Sequence, residues 1–449
     1  MLYIFMGKQQ DFTEGNIWRQ LIVFSSPIIL TDLLQTSYQI VDSLWIGNLL
    51  GANALGAVAV SAALVFTVLS FVIGLNNATL AILSQQKGRG DREGLKNYLN
   101  AFVVILSVLV ILLTIGGIIF SESLLRLLGT PESMLAGAKT YLQINFIGII
   151  FLVGYNFISA VLRAVGDSRT PLRFVAIAVV LNIFLDPLFI AGFNLGIAGA
   201  AYATILSQGI AFIYGVIYVL RNRLVPFTLP KLPKLEEVKL ILHVGIPSGL
   251  QMAVISAGIA AIMSVVTSFG EDVVGGFGAA QRIDSLIMLP AGALGTAVSS
   301  MTGQNIGVRN WRRVHTITRY ALTFNLLVMF SVGLLVFLFA EFSVKLFIRD
   351  AGAVDFATTY LRTMAFFFPF LGINFVLNGV VRASGAMYQI LILNIISFWV
   401  LRYPLTALFA SWFGSQGIAY GMGTSFVISS AVSALYYLFG GWRRKKLFE

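Results

Sequence analysis

Acidic side chains inside long apolar stretches are the residues of this sequence best suited to chemistry. Asp32, Asp42, Asp186 and Asp284 each stand in a run that is otherwise mostly apolar. An ionised carboxylate at the centre of a bilayer costs about 2.5–3.5 kcal/mol on insertion scales. Acids in such places are therefore expected to have a function, and the chemistry open to them is the binding of a proton or a small cation.

Asp42 and Asp186 form the centre of the predicted site. Asn182 and Asp186 are spaced i, i+4 on one helix face, and Asp186 precedes a proline. Counted from the nearest predicted outer loops, Asp42, Asp186 and Thr204 lie at similar depth in the outer half of the bilayer. Two carboxylates in a pocket of low dielectric constant cannot both ionise cheaply, so one holds a proton or the pair binds a small cation. The alternative is that these four side chains only form hydrogen bonds between helices.

A polar stripe on the first apolar run also predicts a functional face. Asp32, Gln35, Gln39 and Asp42 stand at i, i+3, i+7 and i+10 and cover roughly 80° of a helix surface. A stripe of this width must face other helices or water, because lipid cannot satisfy its hydrogen bonds. Gln35 and Gln39 are therefore candidate residues of a substrate cavity.

Two features of the second half suggest a role in substrate binding, and a third polar residue there has a simpler explanation. Arg282 needs an acidic or carbonyl partner; it either faces Asp42 across the two halves or pairs with Asp284. Met252 and Met288 belong to a methionine-rich second half, and flexible thioethers suit a promiscuous apolar surface, although packing against lipid explains them equally well. Arg402 is expected to be an end residue whose charged group snorkels to the membrane surface.

The composition shows which elements must hold these residues. The chain is 58% hydrophobic and 11% charged and has no cysteine, against about 25% charged residues in soluble domains. A soluble enzyme, a disulfide-linked secreted module and a zinc-binding protein are excluded. Apolar runs of about 20 residues predict twelve membrane-spanning helices. They are centred on 20–46, 54–80, 100–120, 139–162, 172–191, 196–220, 241–269, 273–303, 315–340, 359–382, 388–408 and 415–439.

The basic residues predict the orientation. Segments on the side of the N-terminus hold 23 Lys and Arg, and those on the other side hold 5. Cytoplasmic loops carry the excess of Lys and Arg, so both termini are expected in the cytoplasm of a multi-pass protein of the cell (inner) membrane. The net charge of +11 is then a topology signal, and no nucleic-acid partner is predicted.

The two halves of the sequence repeat each other. Gln85 and Gln304 match at an offset of 219 residues, as do the Tyr-Leu pairs that begin at Tyr141 and Tyr360. The predicted domains are therefore an N-terminal six-helix bundle (1–220), a cytoplasmic linker (221–239) and a C-terminal six-helix bundle with a basic tail (240–449). Parallel repeats of this kind are common in transporters that work by alternating access.

Comparing the repeats separates the tasks of the two bundles. The second-half counterparts of the polar stripe are mostly apolar: Gln251, Val254, Gly258 and Ala261. Only the first bundle is therefore expected to perform the task of the stripe. No nucleotide-binding loop, metalloprotease motif, nucleophile elbow or cysteine pair is present. We therefore predict neither an enzyme nor an ATP-driven pump, and no metal site, no cofactor and no obligate protein partner.

Several segments resemble the multidrug and toxic compound extrusion (MATE) transporters. They are Gln35 to Asp42 followed by Trp45-Ile46-Gly47, Leu162-Arg163-Ala164 with Gly166-Asp167, Asn182 to Pro187, and Ala279 to Ile283 with Pro290. The resemblance covers essentially the whole chain. It implies an all-α polytopic fold of twelve helices in two pseudo-symmetric bundles, and a cation-coupled antiporter that exports small amphipathic, often cationic, compounds.

The resemblance also implies roles for particular residues. Asp42, Asn182, Asp186 and Thr204 match the coupling positions of the family, with Gln35 and Tyr38 nearby. Two departures stand out: Ser159 replaces a common asparagine, and the seventh and tenth spans hold no carboxylate. These departures resemble the DinF-type bacterial branch, for which proton coupling is expected, while sodium at the first bundle stays an alternative. A flippase for a lipid-linked precursor, with a related two-bundle fold, is the rival function.

Overall fold

The computed structural model describes residues 9–448, except for the side chain of Ala52, and this part of the chain is almost entirely helical. The first seven helices are α1 (Ile17–Leu50), α2 (Ala52–Arg89), α3 (Arg92–Leu127), α4 (Glu132–Ile147), α5 (Ile149–Ala164), α6 (Arg169–Pro187) and α7 (Gly196–Arg221). The remaining eight are α8 (Leu235–Thr267), α9 (Glu271–Gly307), α10 (Trp311–Lys345), α11 (Ala351–Ala365), α12 (Phe368–Ala383), α13 (Met387–Ile395), α14 (Tyr403–Phe413) and α15 (Gly417–Phe439). Short π-helical turns lie at Leu188–Gly192 and Ile396–Arg402, and 3₁₀ turns lie at Gly414–Gln416 and Gly441–Arg444.

The helices give the twelve spans that the apolar runs predict. In the described part of the chain, nine helical segments are long and apolar enough to cross a bilayer, or eleven when each of two bent pairs counts as one span. The last segment, Met387–Phe439, has 53 residues, which is far longer than the roughly 20 residues of one span. Gly414, with φ 63°, breaks it between α14 and α15, so it supplies two spans.

Polar caps and left-handed glycines set the ends of the long helices. The Asp91 carboxylate accepts the amide of Gly94 at the start of α3, and Asp350 does the same for Ala353 at the start of α11. Gly90 ends α2 with φ 69°, a conformation that glycine adopts without steric strain. These local signals place the polar turns between the apolar runs.

Two spans are bent pairs of short helices. Helices α4 and α5 meet at Gly148 with a bend of 49°, and α11 and α12 meet with a bend of 55°. A Cβ atom added to Gly148 would lie 2.3 Å from Ile205 on α7. Because Gly148 has no side chain, the bend between α4 and α5 can lie close to α7, which a larger residue would prevent.

The described residues group into two compact units. Unit 1 holds residues 9–10 and 30–243, and unit 2 holds residues 11–29 and 244–448. The predicted division at 1–220, 221–239 and 240–449 follows chain order, whereas the units group residues by packing. Residues 221–239 thus pack within unit 1, where both ends of the Asn100 side-chain amide hydrogen-bond the backbone of Lys231 at 2.8 Å.

Residues 12–14 are held within unit 2 by hydrogen bonds. The Arg313 guanidinium at the start of α10 donates to the carbonyl oxygens of Phe12 and Glu14 at 2.8 and 2.6 Å. The amide of Asn305 also donates to the Phe12 carbonyl, at 2.9 Å. These bonds account for the grouping of residues 11–29 with the second half.

Candidate functional site

Three helices of unit 1 supply the candidate coupling site. Asp42 lies on α1, Asn182 and Asp186 lie one turn apart on α6, and Thr204 lies on α7. Pro187 has no N–H to continue the helical ladder, and the π-helical turn Leu188–Gly192 follows it directly. The regular α-helix α6 therefore ends at Pro187, directly after Asp186. Helix α7 packs closely against α6.

The four side chains are buried in the interior of unit 1. Asn182 and Asp186 have no exposed surface, Thr204 is 7% exposed and Asp42 is 9% exposed. The carboxyl groups of Asp42 and Asp186 lie within hydrogen-bonding reach of each other. The Asn182 amide donates to Asp186 Oδ1 at 3.0 Å. The structure therefore brings the two carboxylates together.

Several oxygens of this cluster lack a hydrogen-bond donor. Asp42 Oδ1, Asn182 Oδ1 and Asp186 Oδ2 are buried and have no hydrogen-bond partner among the described residues. Buried polar atoms are nearly always paired, so three such atoms in one cluster leave room for a ligand that brings positive charge or a proton. We call Asp42, Asn182, Asp186 and Thr204 the acidic cluster.

Two tyrosines complete the surroundings of the acidic cluster. The Tyr38 hydroxyl donates to Thr204 Oγ1 at 3.1 Å. Tyr141 on α4 is 7% exposed and lies close enough to interact electrostatically with both carboxylates. Sequence reasoning missed Tyr141 as a site residue. The sequence did contain a signal for this residue, because Tyr141 begins one of the two Tyr-Leu pairs that match between the halves.

The predicted substrate residues Gln35 and Tyr38 border a small void in unit 1. The Gln35 amide donates to the Tyr155 hydroxyl. The void also contacts Ser207 and Gln208 and has a volume of about 30 Å³. This is room for about one water molecule, which is far too little for an organic substrate.

The other predicted substrate residues lie in different surroundings. Gln39 is exposed on α1, and Met252 and Met288 are partly buried on α8 and α9. Met288 packs against the apolar core of unit 2. Asp32 is partly exposed, with its carboxylate 3.9 Å from the Arg163 guanidinium.

Arg282 does not pair with Asp284, so that alternative is wrong. Arg282 is exposed and its guanidinium lies over the ring of Phe347 at 5.9 Å. Asp284 instead accepts the hydroxyl of Tyr360 at 3.2 Å and is 6% exposed. Residues two apart on a helix point to different sides, which explains why the two charges separate.

Arg402 does not snorkel to the membrane surface, so that prediction is also wrong. It is 6% exposed, and its guanidinium carbon lies 3.8 Å from the centre of the Phe398 ring and 4.6 Å from that of Phe426. Its Nε donates to Ser425 Oγ at 3.3 Å. Two aromatic faces stabilise the cation, and no carboxylate of the described residues forms a salt bridge with it.

Comparison with known proteins supports a transporter. The sequence profile of the MatE family matches residues 27–188 and 247–408. The chain is 60% identical to a probable multidrug resistance protein, YpnP, of Bacillus subtilis, over 98% of this chain and 99% of the relative. It is 27% identical to the probable multidrug resistance protein NorM of Thermotoga maritima, over 96% of this chain and 94% of the relative.

Solved structures share the fold over its whole length. One described as an outward-facing multidrug resistance MATE family transporter of the MOP superfamily has a TM-score of 0.92 and 26% identity. The match covers 98% of this chain and 99% of that chain. The predicted all-α fold with two six-helix bundles is confirmed by this likeness and by the spans.

Proposed function

The chain belongs to the MatE family of multidrug efflux transporters, and from that premise we propose that it is a secondary active antiporter coupled to protons. It is a multi-pass membrane protein and a transporter, not an enzyme. The proposed substrates are small amphipathic, often cationic, compounds that leave the cell as protons enter. The proposed location is the cell membrane, with both termini in the cytoplasm.

The acidic cluster carries the proposal of ion coupling. Two carboxylates within hydrogen-bonding reach, buried in a medium of low dielectric constant, repel each other unless a proton or a cation joins them. The unpartnered oxygens of Asp42, Asn182 and Asp186 are acceptors that either ligand satisfies. Binding and release of a positive charge at this point changes the charge of α1 and α6 together.

The cycle follows from this change of charge. An empty, ionised cluster favours uptake of a cationic compound from the cytoplasm, because opposite charges attract. Protons that enter from outside neutralise Asp42 and Asp186 and remove that attraction, so the compound leaves outward. We propose that a shift of α1, which contains Pro27 near its cytoplasmic end, accompanies the exchange between inward-open and outward-open states.

The energy available is sufficient for efflux. One elementary charge that moves down a potential of 100 mV supplies about 2.3 kcal/mol. Since about 1.4 kcal/mol corresponds to a factor of ten in concentration, a single coupled proton sustains roughly a 40-fold gradient of a neutral compound. A stoichiometry above one proton multiplies this ratio.

Proteoliposomes with separately imposed gradients test the proposal. We expect efflux of ethidium to follow a proton gradient and to ignore a sodium gradient at constant pH and membrane potential. Asp42→Asn removes one ionisable group from the cluster and is expected to abolish gradient-driven accumulation. Efflux that follows only the sodium gradient contradicts proton coupling, and unchanged efflux by Asp42→Asn contradicts a coupling role for this carboxylate.

Asp32→Asn is the matched control. Asp32 lies on the same helix, carries the same charge and is partly exposed near Arg163. It lies outside the acidic cluster, so its substitution is expected to leave the response to the proton gradient intact. Equal losses in the Asp32 and Asp42 variants would show a general effect of charge on α1.

A further inference from the structure

Unit 2 contains a buried acid that the proposed coupling site does not use. Asp284 on α9 is 6% exposed, and its Oδ2 accepts the Tyr360 hydroxyl at 3.2 Å. Its Oδ1 is buried and has no hydrogen-bond partner among the described residues. A carboxylate with one orphan oxygen is under-satisfied when ionised, whereas a protonated carboxyl needs fewer donors.

A polar cavity leads to this acid from one end of unit 2. Tyr360 forms part of the wall of a cavity of about 250 Å³, together with Asp272, Asp355, Thr363 and Gln416. The lining residues come from the start of α9, from most of the length of α11 and from the turn before α15. Under the proposed orientation this end of unit 2 faces the outside. A cavity of this size and lining holds water, and Tyr360, which donates to Asp284, forms part of its wall.

A fixed positive charge lies beyond Tyr360. Arg402 is buried between Phe398 and Phe426, and it interacts electrostatically with Tyr360. An arginine side chain does not lose its proton in proteins, so its charge is constant. Tyr360 therefore contacts a carboxylate that can bind a proton and also interacts with a cation whose charge is constant.

Besides Asp272 and Asp355 in the cavity wall, no further charged group is part of this arrangement among the described residues, and none interacts with Asp284. Helices α10, α11 and α12 all pack against α9. Tyr360 on α11 is the one titratable group that interacts with Asp284. The nearest charge along the chain, Arg282, is exposed over Phe347. The acid, the tyrosine and the buried arginine form a separate set of groups inside unit 2.

We propose that Asp284 is a second proton-binding carboxylate, filled from the outer cavity through the hydroxyl of Tyr360. Water in the cavity gives a proton to the Tyr360 oxygen while the hydroxyl proton passes to Asp284 Oδ2, so the tyrosine stays neutral. Protonation removes the negative charge of Asp284 from unit 2, so unit 2 attracts a cationic compound less strongly when Asp284 holds a proton. The inference rests on the proposed proton antiport and adds a second site to it.

Counting protons tests the proposal. The purified full-length chain in a weakly buffered detergent solution, with a pH-sensitive dye, is titrated with ethidium as the lipophilic cation. We expect the wild type to release protons as ethidium binds, and Asp284→Asn to release one proton fewer for each ethidium bound, because only the acidic cluster remains. The matched control Glu341→Gln removes an exposed acid that pairs with Lys345, and it is expected to release as many protons as the wild type.

Tyr360→Phe keeps the ring and removes only the hydroxyl. This variant is expected to take up protons more slowly than the wild type after a pH jump, since the path to Asp284 lacks its relay. An Asp284→Asn variant that folds and releases the full number of protons overturns the proposal. If Asp284→Asn does not fold, the rate of proton uptake by Tyr360→Phe tests the proposal instead. A Tyr360→Phe variant that takes up protons as fast as the wild type overturns the proposal.

The same titration separates this inference from the proposed function. Proton release that is lost in Asp42→Asn and unchanged in Asp284→Asn contradicts the second site alone. Release that is lost in Asp284→Asn and unchanged in Asp42→Asn contradicts the acidic cluster of unit 1 and supports Asp284.

Discussion

The two units differ in charge at corresponding places. In unit 1 the end of α6 and the first turns of α7 hold Asn182, Asp186 and Thr204. Arg402 lies 220 residues after Asn182, the same interval that separates the starts of the two segments matching the MatE profile, 27–188 and 247–408. Ser425 lies at the same position of α15 as Thr204 does of α7, eight residues after the first glycine. A polar cluster in one repeat thus corresponds to a buried cation in the other.

This difference in charge suggests that the two repeats of the fold perform different tasks. The unpartnered oxygens of the acidic cluster need a mobile positive charge, whereas Arg402 supplies a positive charge that is covalently fixed and held by Ser425 and two aromatic rings. A site with a fixed cation has no reason to bind a mobile one. The comparison therefore assigns ion exchange at this position to unit 1 and leaves unit 2 to the separate acid Asp284.

The largest effect is expected at Asp186. Asp186→Asn removes the carboxylate that faces Asp42, so coupling of drug efflux to the proton gradient is expected to disappear. At 100 mV the accumulation ratio in proteoliposomes should fall by roughly 40-fold for each lost proton. An Asp186→Asn variant with the accumulation ratio of the wild type would contradict the assignment of ion exchange at this position to unit 1.

Thr406 provides the matched control in unit 2. It lies 220 residues after Asp186, is fully buried and has an unpartnered hydroxyl oxygen. Thr406→Val has nearly the same volume and removes that polar atom, so accumulation should stay at the wild-type level and the melting temperature should not fall. A loss of coupling equal to that of Asp186→Asn would show that both repeats take part in ion exchange.

The fold was largely predictable, and so were the helices that hold the site. The length of the apolar runs predicted the twelve spans. The i, i+4 spacing of Asn182 and Asp186 predicted that they share one face of a helix. The partners of individual charges were less predictable. Arg282 and Asp284 are two residues apart in sequence but point to different sides of α9, and the aromatic stacking of Arg402 depends on α15, which is distant in sequence. Spacing along one helix cannot specify contacts between helices.

For Tyr141 and Tyr360, the sequence repeat predicts corresponding positions but not the role of either residue. Their shared position was visible in the sequence, but their roles were not, because each tyrosine acts on acids of other helices. Tyr141 lies near Asp42 and Asp186, while Tyr360 donates to Asp284. The preserved tyrosine therefore marks the place in each unit where a buried carboxylate lies.

A smaller effect, on stability, is expected at Arg402. Replacing a buried cation with an apolar side chain of similar size is often neutral or stabilising. Arg402→Met keeps much of the contact with Phe398 and Phe426, so its melting temperature should lie within about 2 °C of the wild type, a shift that corresponds to roughly 2 kcal/mol or less for a chain of this size. A large drop measured by thermal unfolding in detergent would show that unit 2 needs the charge to fold.

Infrared difference spectroscopy of the purified protein, with and without saturating ethidium, tests the central claim most directly, because it observes the carboxyl groups themselves. The account predicts that ethidium binding removes an absorption of protonated carboxyl groups, and that Asp42→Asn and Asp186→Asn each abolish the part of this change that belongs to the acidic cluster. The Asp32→Asn spectrum should match the wild type. A carboxyl signal that is identical in the wild type and in both cluster variants would contradict proton exchange at Asp42 and Asp186.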